Sequence, residues 1–273
     1  MGEVLKGRRA LVVGASAGIG REVGLHLAGL GAVVVFHGRR VDRLDEAVAA
    51  AGSGYAIVAD VGDADSCEAM VEEAAAKLGG LDLVVYAASA SRLGLARDLT
   101  AADWAELYAI NVFGPALVVK RALPHLSASA VIAFLSSESV GMPFHGLLPY
   151  GTSKAALEEF VRGIRIEQPH HRFCCIRVGK TEPTDFGRDF DPEMAMDLFP
   201  QWLALGRLAA QSMQTTEVGT VIAEALALAL NNPSVDMQDL VLRPPGPMMT
   251  PEMMTAMLES VDATHEAVYG SEG

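Results

Sequence analysis

Ala10-Leu11-Val12-Val13-Gly14-Ala15-Ser16-Ala17-Gly18-Ile19-Gly20 is the stretch on which the fold turns. Its first four residues form an apolar run of strand length. A helical pattern, Ile19 to Leu30, begins before the last glycine. The connecting turn has the spacing G-x-x-x-G-x-G rather than G-x-G-x-x-G, but the physics is shared. Glycine lets the chain turn sharply and lets backbone approach a bound group. The free N–H groups and dipole at a helix N-terminus favour an anion such as a pyrophosphate. Many strand-to-helix turns use glycine for packing alone. The position of this one, near the N-terminus and between a clean strand and a clean helix, gives it weight.

Downstream, short β-rich runs alternate with longer helical ones. Strands are expected at Ala32 to Phe36, Tyr55 to Ala59, Leu81 to Ala87, Val131 to Leu135, Phe173 to Val178 and Leu240 to Leu242. Helices are expected at Val41 to Ala51, from a Thr100 cap towards His125, at Tyr150 to Gln168 and at Thr216 to Leu230, with a Glu- and Ala-rich helix before Leu81. Strands without polar alternation are buried on both faces, which implies a parallel sheet covered by helices. Strict alternation implies right-handed crossovers and a doubly wound α/β sheet of about seven strands in one domain, residues 1–273. Ligands of such sheets bind beyond the carboxyl ends of the strands. Two stretches break the rhythm. Residues 181–214 carry Phe186, Phe190, Met194, Met196, Leu198, Phe199 and Trp202, and the tail 246–273 has five Met between Met248 and Met257. Each reads either as packing or as a mobile apolar cover over a substrate pocket.

The second strand runs into His37-Gly38-Arg39-Arg40, with no Asp or Glu before Asp42. In a dinucleotide fold this end lies beside the adenosine ribose. An acid there suits the 2′-hydroxyl of NAD, whereas Arg accommodates the 2′-phosphate of NADP. NADP(H) is therefore expected in preference to NAD(H), with Ser16 and Arg21 as further phosphate contacts. The bland alternative is a pair of solvated arginines. These cations stand out in a chain of net charge −13, which makes nucleic acid and anionic membranes poor partners. Cys67, Cys174 and Cys175 lack a disulfide framework and read as reduced, buried thiols. No signal peptide, spanning stretch or metal-ligand spacing is apparent, so a cytoplasmic, metal-free protein is expected.

Tyr150-Gly151-Thr152-Ser153-Lys154 sets a phenol and an amine four residues apart, one turn along one helix face. A free Tyr pKa of about 10 is too high for base work near neutrality, and a nearby ammonium lowers it. Ser137 follows the strand that ends at Leu135 and brings a hydroxyl to the same sheet edge. Y-x-x-x-K alone is usually a solvated helix face. After a Ser-ended strand, in a chain that opens on the Gly-rich turn above, it becomes specific.

Together these motifs resemble the short-chain dehydrogenase/reductase family over nearly the whole chain, up to about Pro245. The resemblance implies a single-domain Rossmann-type fold. It implies that Gly14, Gly18 and Gly20, with Ile19, bind cofactor phosphates and that Asp60 and Val61 contact adenine. Asn111, Ser137, Tyr150 and Lys154 match the catalytic tetrad. It further implies hydride transfer between an alcohol and a ketone or aldehyde. In that scheme Tyr150 is the general acid/base, Lys154 binds the nicotinamide ribose and Asn111 holds a water linking Lys154 to solvent. Tyr86-Ala87-Ala88-Ser89 departs from the family's Asn-Asn-Ala-Gly, although Ala87 and Ala88 still allow close cofactor approach. Val178-Gly179-Lys180-Thr181 replaces the usual Pro-Gly turn, leaving Val178 and Thr181 as the expected contacts near the nicotinamide.

Met142, Phe144, Leu147 and Leu148 precede Tyr150 and are expected to line a pocket for an apolar carbonyl or alcohol. The apolar helices Ala101 to Leu126 and Ala155 to Val161 exceed what one sheet face covers. By the resemblance they pair in a homodimer or homotetramer. Two other readings stand beside oxidoreduction. One is a catalytically silent dinucleotide-binding regulator. The other is an epimerase or dehydratase of the same family, for which Glu138 or His145 would supply an extra acid or base.

Overall fold

The computed structural model describes residues 3–256. The chain runs β1 (Arg9–Val13), α1 (Gly18–Gly29), β2 (Val33–Gly38), α2 (Val41–Ala51), β3 (Tyr55–Val58), α3 (Ala64–Leu78) and β4 (Leu81–Tyr86). It continues through α4 (Ala101–Tyr108), α5 (Gly114–Ala122), β5 (Leu126–Ser137), α6 (Leu148–Glu167) and β6 (Arg172–Val178). Then come β7 (Thr181–Glu182), α7 (Pro192–Ala204), β8 (Met213–Gln214), α8 (Thr215–Asn231) and β9 (Asp239–Leu242). Seven strands form one sheet in the order β3-β2-β1-β4-β5-β6-β9, and every pairing in it is parallel.

The apolar strands are buried on both faces because two helical layers need them. Ala10, Val12, Val34 and Phe36 join Val23 and Leu27 of α1 and Ile222 and Leu226 of α8 in one core. Their neighbours Leu11, Val13 and Val35 point the other way, to Met70 and Val71 of α3, Val118 of α5 and Leu157 of α6. Each such fully buried side chain contributes about 1.5–3 kcal/mol. The sheet grows outward from β1 to β3, and the chain then returns to add β4 on the other side of β1. That reversal leaves a crevice between β1 and β4 at their carboxyl ends, where this architecture binds ligands.

The long helix expected from Thr100 towards His125 is interrupted. Thr100 caps it as predicted: its hydroxyl accepts from Asp103 N at 3.3 Å, while the Asp103 carboxylate accepts from Thr100 N at 2.8 Å. After α4, residues Ala109–Phe113 widen into a π turn before α5. Pro115 has no N–H to offer the carbonyl of Asn111, its i−4 partner, which weakens the α register there. The Tyr86 hydroxyl, fully buried, donates to the Ile110 carbonyl at 2.6 Å and holds the widened turn.

The 181–214 stretch is also more built than its sequence suggests. Asp191 caps α7 by accepting from Met194 N at 3.0 Å, and Pro192 occupies the first turn, where its missing N–H costs nothing. Thr181 pairs with Met213, closing the stretch with a two-stranded ribbon. Leu198 is buried with Leu93 and Leu147, and Phe144, Phe190, Met194 and Trp202 pack on them as a third apolar cluster. Packing therefore accounts for most of these side chains, while Met196 remains exposed. Of the Met-rich tail, Met248 bridges to Ala209 and Met249 is buried; Met257 and the residues beyond it lie outside those described.

All three cysteines are buried thiols, with burial pushing Cys67 and Cys174 to about 12 and Cys175 to about 11. Among the described residues no helix is long and apolar enough to cross a membrane, and no three metal-binding side chains cluster.

Candidate active site

The glycines of the first turn do two different jobs. A Cβ on Gly14 would sit 2.4 Å from Ala88 N, and one on Gly20 would sit 2.3 Å from the Gly14 carbonyl and 2.9 Å from the Ala87 Cβ. Gly14 and Gly20 interlock with the two alanines that follow β4, so a side chain at either glycine would displace backbone. Gly18 is different. It has φ of +58°, starts α1, and a Cβ there would meet nothing within 4 Å. Ala17 at the N-cap has no side chain that bonds the first N–H groups, and the first turn carries no acid. The helix thus presents uncapped donors and the positive end of its dipole to open space, which fits a phosphate. Ile19 packs its side chain against the core behind the turn.

The two arginines after β2 diverge. Arg40 donates to the Ser16 hydroxyl from Nε at 3.3 Å and from Nη2 at 3.0 Å. Gly38 makes room for this, since a Cβ there would lie 3.0 Å from the Ser16 Cβ. Arg39 reaches the other way, with Nη1 3.8 Å from the Asp60 carboxylate. Asp60 also accepts from Gly62 N at 2.9 Å, and the neighbouring Val61 is buried. A Gly-rich cradle flanked by Ser16 and two guanidinium groups suits a phosphorylated dinucleotide. Arg21, expected as another phosphate contact, is instead paired with Glu22 at 3.1 Å; adjacent on α1, the two neutralise each other.

Tyr150, Ser137 and Lys154 meet at the carboxyl edge of the sheet. Lys154 is 2% exposed, donates to the Leu135 carbonyl at 2.9 Å, and holds its Nζ 5.8 Å from the centre of the Tyr150 ring. Burial lowers its pKa to about 8, against 10.5 in solution. The expected lowering of the Tyr150 pKa does not follow. Burial raises it above the ordinary phenol value, the hydroxyls of Ser137 and Ser89 pull it back by bonding the phenol, and the Glu138 charge adds to the rise. The physical reason is position: the Lys154 ammonium lies over the ring and is spent on a carbonyl, while the hydroxyl sits in a desolvated place.

Ser89 stands where the resemblance expects Gly, and its hydroxyl donates to the Asn111 Oδ1 at 3.2 Å. Asn111, fully buried in the π turn, spends its side chain on Ala90 N and O, at 2.9 and 2.8 Å, and on the Ser153 hydroxyl at 2.9 Å. Among the described hydrogen bonds none joins it to Lys154; its side chain fixes the strand-end segment that carries Ser89.

The segment after β7 covers this corner. Phe186 stands edge-on to the Tyr150 ring, with centroids 5.0 Å apart, and Phe190 packs edge-on to Phe186. The Ser91 hydroxyl donates to the Phe186 carbonyl. Of the expected pocket residues, Phe144 meets Trp202 edge-on at 5.9 Å and Leu147 is buried in the third cluster, so both anchor the cover. Met142 takes a bond from Arg243 through its sulfur, and Leu148 is exposed at the start of α6. Val178 is buried at the end of β6, and Thr181 turns its hydroxyl back to the Gly179 carbonyl at 2.9 Å. Of the two candidates for a second acid or base, only Glu138 has its side chain engaged among the described residues. Glu138 pairs with Arg243 at 3.2 Å, and the exposed His145 contributes only its carbonyl, to Trp202, at 2.6 Å.

A family model described as short chain dehydrogenase matches residues 8–195. A probable tetrahydroxynaphthalene reductase from Zymoseptoria tritici is 33% identical over 171 residues, 60% of this chain and 63% of that protein. Versicolorin reductase 1 from Dothistroma septosporum is 31% identical over 204 residues, 72% of this chain and 76% of that protein. The chain thus spans less than two thirds of the first relative's length and about three quarters of the second's. Among solved structures, a short chain dehydrogenase from Burkholderia cenocepacia in complex with NADP superposes with a TM-score of 0.76 at 26% identity, covering 87% of this chain and 97% of that one. A dehydrogenase/reductase from Sinorhizobium meliloti gives a TM-score of 0.75 at 25% identity, covering 87% and 94%.

Proposed function

This chain belongs to the short chain dehydrogenase family, which makes it an NAD(P)-dependent oxidoreductase, and from that premise we propose that it is an NADP(H)-linked carbonyl reductase with Tyr150 as the proton donor. The observation that carries the reading is a buried Tyr150 phenol, with Lys154 buried one helical turn away, at the carboxyl edge of a sheet whose Gly-rich turn fits phosphate.

When bound, the nicotinamide supplies a hydride to the carbonyl carbon of the substrate. The residues handle the oxygen. A phenol held above its ordinary pKa stays protonated at neutral pH, and a protonated Tyr150 gives its hydrogen to the carbonyl oxygen as charge develops there. Ser137 bonds the same oxygen and stabilises that charge. Lys154, one helical turn from Tyr150, holds the ribose side of the groove. Asn111 and Ser89 position the strand end opposite. Oxidation runs the same steps backwards, with Tyr150 taking up the proton. Arg40 with Ser16, and Arg39 with Asp60, flank the place of a 2′-phosphate, and the NADP named with the Burkholderia relative agrees with that preference.

The cover of Phe186, Phe190, Phe144 and Trp202 favours an apolar, aromatic carbonyl compound. Relatives named as reductases of tetrahydroxynaphthalene and versicolorin make polycyclic aromatic ketones the first panel to assay. NADPH oxidation against that panel should be detectable, and Tyr150→Phe should lower turnover at least about a hundredfold. Near-normal turnover in Tyr150→Phe removes the mechanism. Tight NADPH binding with no turnover on any carbonyl favours a silent dinucleotide-binding protein instead.

A further inference from the structure

Arg40 has an acidic partner that its place in the sequence does not announce. Asp185, in the segment after β7, pairs with Arg40 Nη2 at 2.8 Å, while that same nitrogen bonds the Ser16 hydroxyl at 3.0 Å. Asp185 is 145 positions away in sequence and belongs to the cover, not to the cradle. Its neighbour Phe186 lies on the Tyr150 ring. One short segment therefore spans the groove from the guanidinium at its adenosine end to the phenol at its catalytic end. Asp185 also has a second partner, Arg188 Nη1, at 3.3 Å. If Arg40 is taken away, the carboxylate is not left unpaired.

We propose that Asp185 sets cofactor selectivity by competing, as an internal anion, with the 2′-phosphate of NADP(H) for Arg40. This rests on the reading of Arg40 as a 2′-phosphate ligand. The chemistry is a direct exchange of anions. A guanidinium fork already engaged by a carboxylate and a hydroxyl must release the carboxylate to receive a phosphate dianion. NAD(H) lacks that phosphate and has no such exchange to make. The pair is half exposed, so the competition is modest and sensitive to salt. Arg188 keeps Asp185 paired after the exchange, which lets the cover shift without an orphaned anion.

The test is equilibrium binding of NADP+ and NAD+ by calorimetry to the full chain and to Asp185→Asn, Arg40→Ala and the double variant. Asp185→Asn should bind NADP+ about two- to fivefold more tightly, the range expected for loss of a half-exposed competing ion pair. Its NAD+ affinity should not change. In the Arg40→Ala background the same substitution should have no effect on NADP+, because the contested group is gone. If Arg40→Ala weakens NADP+ selectively but Asp185→Asn leaves both affinities unchanged, or tightens both equally, competition by Asp185 is overturned while Arg40 keeps its role. If Arg40→Ala weakens both cofactors equally, the 2′-phosphate reading falls and this inference falls with it.

Discussion

Lys154 carries a burial cost that pH can expose. Its pKa is about 8 in the fold and 10.5 in the open chain. Below pH 8 both states hold the proton, so the folded protein bears the full cost of a desolvated ammonium. Between 8 and 10.5 the unfolded chain binds more protons than the native one, and stability rises with pH through that window. Lys154→Met lacks this term. The melting temperature of wild type relative to Lys154→Met should rise by on the order of 5 °C between pH 7.5 and 10.5. A constant difference across that range, followed by calorimetry, would show that Lys154 is not desolvated. Ser89 gives a second residue-scale prediction. Its hydroxyl acts on the Tyr150 phenol to lower a pKa that burial raises. Ser89→Ala should therefore move the Tyr150-dependent limb of the kcat/KM profile to higher pH, and a shift downward would contradict the contact.

The π turn between α4 and α5 is decided by three residues acting together. Tyr86 bonds Ile110, Pro115 withholds a donor from Asn111, and Gly114 leaves the space that the phenol fills. A Cβ on Gly114 would stand 2.3 Å from the Tyr86 hydroxyl oxygen. Gly114→Ala should destabilise the protein by about 1–3 kcal/mol, the usual cost of overpacking a close-packed interior. Tyr86→Phe alone should cost about 1–3 kcal/mol by leaving the Ile110 carbonyl without its donor. The double variant should lose less than the sum, because removing the hydroxyl relieves the clash. Strict additivity in urea melts would mean that the two residues do not share that space. Because Asn111 rides on this turn, a widened helix is here a device for placing a side chain. Sequence periodicity predicts the helix but not the extra residue in its turn, since the apolar spacing on either side of the interruption remains helical.

At the scale of the whole molecule, a parallel sheet of seven strands buried on both faces follows from the apolar strand pattern, while the strand order is a property of the folded chain. The partner surface is a different matter. Phe113 is 60% exposed on the π turn and Ile166 is 81% exposed near the end of α6. These exposed apolar side chains lie on the helices expected to pair between copies. Light scattering at micromolar concentration should give a mass two or four times 28.8 kDa. A mass of one chain would remove the homo-oligomer.

The linear order of residues was enough for everything governed by local periodicity and close spacing: the buried strands, the glycine turn, and a phenol and an amine one turn apart. Those features depend on neighbours within a few positions, where helix and strand geometry is fixed in advance. Folding in three dimensions alone decided which charges met. Asp185 reaches Arg40, Glu138 is claimed by Arg243, and Lys154 donates to the Leu135 carbonyl. Pairings between distant residues, and the pKa shifts that burial imposes, depend on distance and desolvation, which the order of residues does not specify.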